Sequence, residues 1–217
     1  VRWLCTLGCD YGVVAVPAGS RLRTLSELLA ALRSRPTGWV FGAGGTVGSQ
    51  DWCKAALLVR AAGQDHRQMR FVAFEGGGEA TRALAGGHVD IFTGDVTEAQ
   101  RAVAQGVALR VLAVLAPERL RTDAAAWPTA REQAVDLVWP TVRGLYMGLQ
   151  ASDAAFAHWQ ALLRAALQSP GYAARCRAQG LEPLALVGSA LQTYLGHQMQ
   201  RYESLMGTLG LRRWSRG

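Results

Sequence analysis

The sequence predicts an α/β fold, a mostly parallel sheet with helices on both faces. Three observations lead there. Hydrophobic period alternates between two and 3.6 along the chain. Short apolar runs are followed by glycine-bearing turns and then by helices, the order of a βα unit. The runs are apolar on both sides, as strands covered on two faces must be. Half of the 217 residues are hydrophobic, enough to bury a sizeable core.

The elements follow in order. Residues 11–16 (YGVVAV) read as a buried strand that closes at Pro17. Thr24 and Glu27 have the spacing of a capping box, and Leu25, Leu28, Leu29 and Leu32 then repeat on one helical face until Pro36. A strand at 39–41 leads through GAGGTVGS to a helix at 49–62. A strand at 71–74 leads through Glu75 and three glycines to a short helix ended by Gly86 and Gly87. A strand at 89–92 leads through Thr93, Gly94 and Asp95 to a helix at 97–105. A strand at 109–115 closes the run. Residues 122–141 carry Pro128 and Pro140 and read as a crossover. A return strand at 144–148 precedes an amphipathic helix at 153–168, with Phe156, Leu163 and Leu167 on one stripe. Ser169-Pro170 breaks it, a shorter helix runs to Gly180, and a long one is expected at 190–206 with Gly188-Ser189 at its start.

Composition excludes several functions. The net charge is +7, but the arginines are scattered, as in the pairs Arg33/Arg35, Arg67/Arg70, Arg119/Arg121 and Arg212/Arg213, and no nucleic-acid motif is present. Lys54 is the only lysine. No window approaches the ~18 to 20 apolar residues of a membrane span, so direct membrane insertion is not expected. No signal peptide is visible at Val1. Cys5, Cys9, Cys53 and Cys176 form no C-x-x-C and read as buried thiols; a Cys53–Cys176 pair depends on the fold. His66, His88, His158 and His197 have no nucleophile or metal partner in sequence, so no metal, cofactor or catalytic residue is expected. Asp90 and Asp95 are odd-spaced and point to opposite faces, which weakens a paired-carboxylate reading.

Three strand ends carry glycine: 42–48, 76–78 and 94. Each opens into a helix N-terminus with unpaired N–H groups and partial positive charge, a natural seat for an anion. Thr46 and Ser49 add hydroxyls. Neither the phosphate-loop pattern nor the dinucleotide fingerprint fits, which disfavours a nucleotide. Glu75 and Asp95 read as acceptors on the ligand side or as loop organisers, with helix capping the plain alternative for Asp95.

In ordered stretches along nearly its whole length, the chain resembles the periplasmic solute-binding receptors of tripartite tricarboxylate transporters, the Bug-type proteins. The stretches are DYGVVAVPAGSRLRTLSELLAAL, WVFGAGGTVGSQDW, VAFEGGGEATRALAGGHVDI, GDVTEA, LRVLAVLAPERL, PTAREQAVDLVW and VRGLYMGL. The resemblance implies two α/β lobes of the type II periplasmic-binding-protein kind, joined by crossing strands. It divides the chain into a strand and hinge at 1–17, a complete ligand-binding lobe at 18–118, a crossover and return strand at 119–148, and a C-terminal helical part of a partial first lobe at 149–217. It also implies that the family's N-terminal portion is missing here. By position it assigns ligand contact to Gly45, Thr46, Gly48, Ser49, Gly76, Gly77, Thr93, Gly94 and Asp95. Arg143 in the return segment either faces the anion or pins the hinge. The implied function is capture of a di- or tricarboxylate, or similar organic anion, in the periplasm, with membrane transporter subunits as partners. Trp52, where family members often have histidine, and Glu98 near the loops set this chain apart. A non-binding remnant or interaction module, and a small-acid enzyme, are the competing readings.

Overall fold

The computed structural model describes residues 1–211; Arg212 and Arg213 lie outside the described residues. The chain divides into two compact units, one of residues 1–10 and 142–217 and one of residues 11–141.

The larger unit contains five strands and four helices: β2 (Val13–Pro17), α1 (Leu25–Ser34), β3 (Val40–Gly44), α2 (Gln50–Ala61), β4 (Arg70–Phe74), α3 (Gly77–Ala85), β5 (Ile91–Phe92), α4 (Val96–Ala104) and β6 (Leu109–Val114). The sheet order is β4-β3-β5-β2-β6. β3 pairs in parallel with both β4 and β5. β2 pairs antiparallel with both β5 and β6. Four strands therefore run one way and β2 runs against them. The sheet is mixed rather than simply parallel.

α1 forms as its spacing predicts. Leu25, Leu28, Leu29 and Leu32 are all buried, and the Thr24 hydroxyl accepts from the Glu27 N–H at 3.1 Å. The Glu27 carboxylate reaches back one residue further than a standard capping box and accepts from Arg23 N–H. On one face of the sheet, Ala80 and Leu84 of α3 and Val96 and Ala99 of α4 pack with Val13, Ala15 and Phe92. The alternate residues Val14 and Val16, equally buried, point to the other face.

Two strand expectations need correction. The run 11–16 is not one strand: β1 (Arg2–Tyr11) ends and β2 begins across Gly12. β3 continues through Gly44, so Gly42, Ala43 and Gly44 belong to the strand rather than to the loop. Packing explains the first glycine, since a Cβ at Gly42 would lie 2.7 Å from Val89 and 3.0 Å from the Phe74 ring. Part of the bare backbone in this stretch is therefore required by the sheet.

The smaller unit holds most of β1 and β7 (Pro140–Met147), which pair as a two-stranded ribbon, and α5 (Asp153–Leu167), α6 (Tyr172–Ala178) and α7 (Gly188–Thr208). On α5 only Leu167 is buried; Trp159 and Leu162 are about half exposed at 50% and 49%. α7 starts two residues earlier than expected, with Val187 at its N-cap. All four cysteines are buried and free.

Candidate functional site

Parallel pairing in the order β4-β3-β5 puts the C-terminal ends of these strands side by side on one edge. The turns at 45–49, 75–76 and 93–95 leave from that edge, and α2, α3 and α4 begin there. They are linked: Gly45 N–H donates to the Phe74 carbonyl at 2.9 Å, joining the first turn to the end of β4.

The turns differ in what their backbone offers. Gly45 and Gly48 adopt positive φ, 77° and 87°, which side chains rarely tolerate, and this turns the segment sharply into α2. Ser49 caps α2, its hydroxyl oxygen accepting from Trp52 N–H at 3.2 Å. Thr46 and Gly48 are exposed. α3 begins on Gly76 with no side-chain cap. Among the described residues, the N–H groups of Thr46, Gly48, Gly77 and Gly78 have no protein acceptor. These donors sit where the helix dipole is positive.

The third turn is different. Thr93 is fully buried, and its hydroxyl donates to the Asp51 carbonyl at 3.2 Å. Gly94 is buried too: a Cβ there would meet the Phe92 ring at 2.1 Å and Glu98 at 2.4 Å. Asp95 forms a capping box with Glu98, which accepts from Asp95 N–H at 2.9 Å. The side chains of Thr93 and Asp95 thus organise the loop and point inward. The carboxyl of Glu98 lies against α3 as well, since a Cβ on Gly77 would be 2.3 Å from its Cδ. Burial raises the Glu98 pKa above the usual carboxylate range, outweighing the Asp95 N–H it accepts.

Beneath this edge lies a feature that sequence reading did not identify. The one lysine of the chain, Lys54, is wholly buried. Its Nζ lies 2.7 Å from Asp51 Oδ1, Asp95 Oδ1 and the Gly94 carbonyl. Asp51 Oδ2 accepts from Gly44 N–H at 3.1 Å, and Thr141 Oγ1 donates to Asp95 Oδ1 at 3.1 Å. Burial by itself would lower the lysine pKa, but the Asp95 and Asp51 carboxylates outweigh it, so Lys54 stays charged. Burial also raises Asp51, and the adjacent cation offsets this only in part. Both shifts are upward but act oppositely on charge, favouring the ammonium and disfavouring the Asp51 carboxylate, because Lys54 has two carboxylates while Asp51 shares its cation. The signal available in sequence was the scarcity of lysine itself, in a chain whose other cations are all arginine.

Trp52 turns into the protein, where it is 7% exposed and packs edge-on against His66, with ring centres 5.7 Å apart. Arg143 lies on β7 and its Nη2 donates to Asp10 Oδ2 on β1 at 3.2 Å; the Asp10 side chain is fully buried.

Residues 5–211 match the tripartite tricarboxylate transporter family receptor throughout. The chain belongs to that family. No curated protein sequence matches it. Solved structures share its fold. Periplasmic binding protein BugD aligns with TM-score 0.80 at 18% identity, over 97% of this chain and 70% of that one. An R. palustris protein with adipate gives 0.81 at 20% identity, over 96% and 68%. MatC from Rhodopseudomonas palustris, with bound malate, gives 0.76 at 22% identity, over 94% and 68%. This receptor is thus a member of a solute-binding family with the periplasmic-binding-protein fold, and it spans about 70% of the length of these relatives.

Proposed function

We propose that this receptor captures a small organic carboxylate in the periplasm for a tripartite tricarboxylate transporter and does not transform it. The observation that carries the reading is the bare α3 N-terminus. Of the three helices opening on the edge, α2 is capped by Ser49 and α4 by the Asp95–Glu98 box, while α3 begins on glycines whose amides have no protein acceptor. Amides of Thr46 and Gly48 on the neighbouring turn and the hydroxyls of Thr46 and Ser49 would complete the grip on one carboxylate. Gly45, Gly76 and Gly77 serve by letting the ligand approach the backbone. Gly94, Thr93 and Asp95 shape the seat from behind. Arg143 is left out of the proposed contacts because it balances the buried Asp10. Nothing on this edge pairs a nucleophile with a base, so an acyl- or group-transfer reaction has no support. The adipate and malate of the R. palustris structures place the ligand class among dicarboxylates for those proteins.

Calorimetric titration with malate, adipate, succinate, citrate, glutamate and nicotinate tests the proposal. The expected result is saturable binding of at least one of them, weakened by Gly45→Ala, whose Cβ would lie 2.8 Å from the Ser49 Cβ at a positive φ. Heat from none of the six, or binding indifferent to Gly45→Ala and Gly77→Ala, would remove the glycine edge as the site.

A further inference from the structure

We propose that Lys54 is the positioning residue of the glycine edge: a buried ammonium that pins the turns after β3 and β5 to each other without touching the ligand. The proposal rests on the carboxylate-binding reading of that edge for its functional consequence, and on geometry for the pin itself.

An ammonium has three N–H donors. Lys54 has three acceptors, all at 2.7 Å, two on the turn after β5 and one on the first turn of α2. The Gly94 carbonyl is in the turn after β5. Asp95 is the N-cap of α4. Asp51 is in the first turn of α2, and its other oxygen holds Gly44 N–H at the end of β3. Thr93 adds a second strut to the same residue through the Asp51 carbonyl. One charged group therefore fixes two turns and two helix starts. A compact ammonium suits three converging acceptors, whereas the planar fork of arginine does not. This explains why an otherwise arginine-only chain keeps a lysine here. The fold makes room for it: a Cβ at Gly12 would lie 2.7 Å from Lys54 Cδ, so residue 12 must be glycine for the stem to pass.

A charge that merely neutralises carboxylates and a charge that pins loops make different predictions. Lys54→Met combined with Asp51→Asn keeps the net charge of the Lys54–Asp51–Asp95 cluster unchanged and leaves an acceptor for Gly44 N–H, but removes the pin. The two measurements are amide hydrogen exchange at Gly44 and Asp95, and titration with the same six acids. In the folded double variant, exchange at these amides is expected to rise about tenfold or more, the factor that one hydrogen bond to a charged group is worth. Affinity for whichever acid the parent chain binds is expected to fall by a similar factor. A double variant with parent-like exchange overturns the proposal, because charge balance alone then suffices. Should the double variant not fold, the parent chain decides. Lys54 is its only side-chain amine, so acylation by an amine-selective reagent, followed by mass spectrometry, reports opening of this one site. The pin requires Lys54 acylation to keep pace with exchange at Gly44 and Asp95; free exchange there while Lys54 stays blocked also overturns it. Faster exchange in a protein whose parent binds none of the six acids would leave the pin standing and remove the carboxylate reading instead.

Discussion

Replacing Lys54 with methionine tests the buried ion pairs beneath the glycine edge. Methionine fills most of the volume and keeps the apolar stem, so the loss is mainly charge and hydrogen bonds. Asp51 and Asp95 are left as two carboxylates facing each other, with side-chain exposures of 15% and 10% and no cation between them. Removing one partner of a buried ion pair costs about 3–5 kcal/mol, because the remaining charge is neither solvated nor paired. For a chain of this size each kcal/mol lowers Tm by about 2–4 °C, which gives a fall of about 6–20 °C by circular dichroism. The deficit should depend on pH. The Asp51 carboxyl already sits above its ordinary 3.8 because of burial, and loss of Lys54 raises it further. A carboxyl with a raised folded-state pKa favours the folded state fully below its unfolded pKa and loses that contribution as pH rises through the folded value. The variant should therefore recover towards the parent as pH falls to about 4, and be worst near neutrality. A loss below about 1 kcal/mol at pH 7, or a deficit that grows on acidification, would refute a charged Lys54 holding two buried carboxylates.

Three further outcomes are expected. Gly12→Ala places a Cβ 2.7 Å from Lys54 and 2.9 Å from Leu115, and should cost about 1–3 kcal/mol in urea unfolding, with parent-like stability counting against the packing described. Glu98→Gln removes a carboxyl whose pKa burial has raised, so it should match or exceed the parent in stability at pH 7; that advantage should narrow as pH falls through the raised folded value towards 4.5, and a variant less stable at pH 7 than at pH 4 relative to the parent contradicts the raised pKa. Burial pushes the Cys53 thiol up to about 11, and Cys5, Cys9 and Cys176 are buried as well, so a disulfide reagent at pH 8 should find no fast thiol in the native protein and four after denaturation. Fewer than four would reveal a disulfide.

Much of the local structure was legible because its causes are local. Thr24 and four leucines at helical spacing specify α1 within a dozen residues, and the buried face is the one their period gives. The glycine turns could be placed at strand ends for the same reason, and parallel pairing then set three of them along one edge. Asp95 illustrates the limit. Its position at a strand end before a helix fits a ligand acceptor and a cap equally well, and the carboxylate meets Lys54, 41 residues away, and Thr141, 46 residues away, only in the folded chain. Thr93, which the family resemblance assigns to the ligand, is buried, with its hydroxyl bonded to the Asp51 carbonyl.

The alternation of strands and helices, the glycine-bearing turns, the family to which the ordered stretches belong and the single lysine are all written in the order of residues. Those are properties of neighbours along the chain. Tertiary structure alone decided that β2 runs against the other four strands, that Gly42 is bare to admit Val89 and Phe74, and that Lys54, Asp51 and Asp95 meet beneath the edge. Burial and ion pairing join residues that come together only when the sheet closes, so no periodicity or spacing records them.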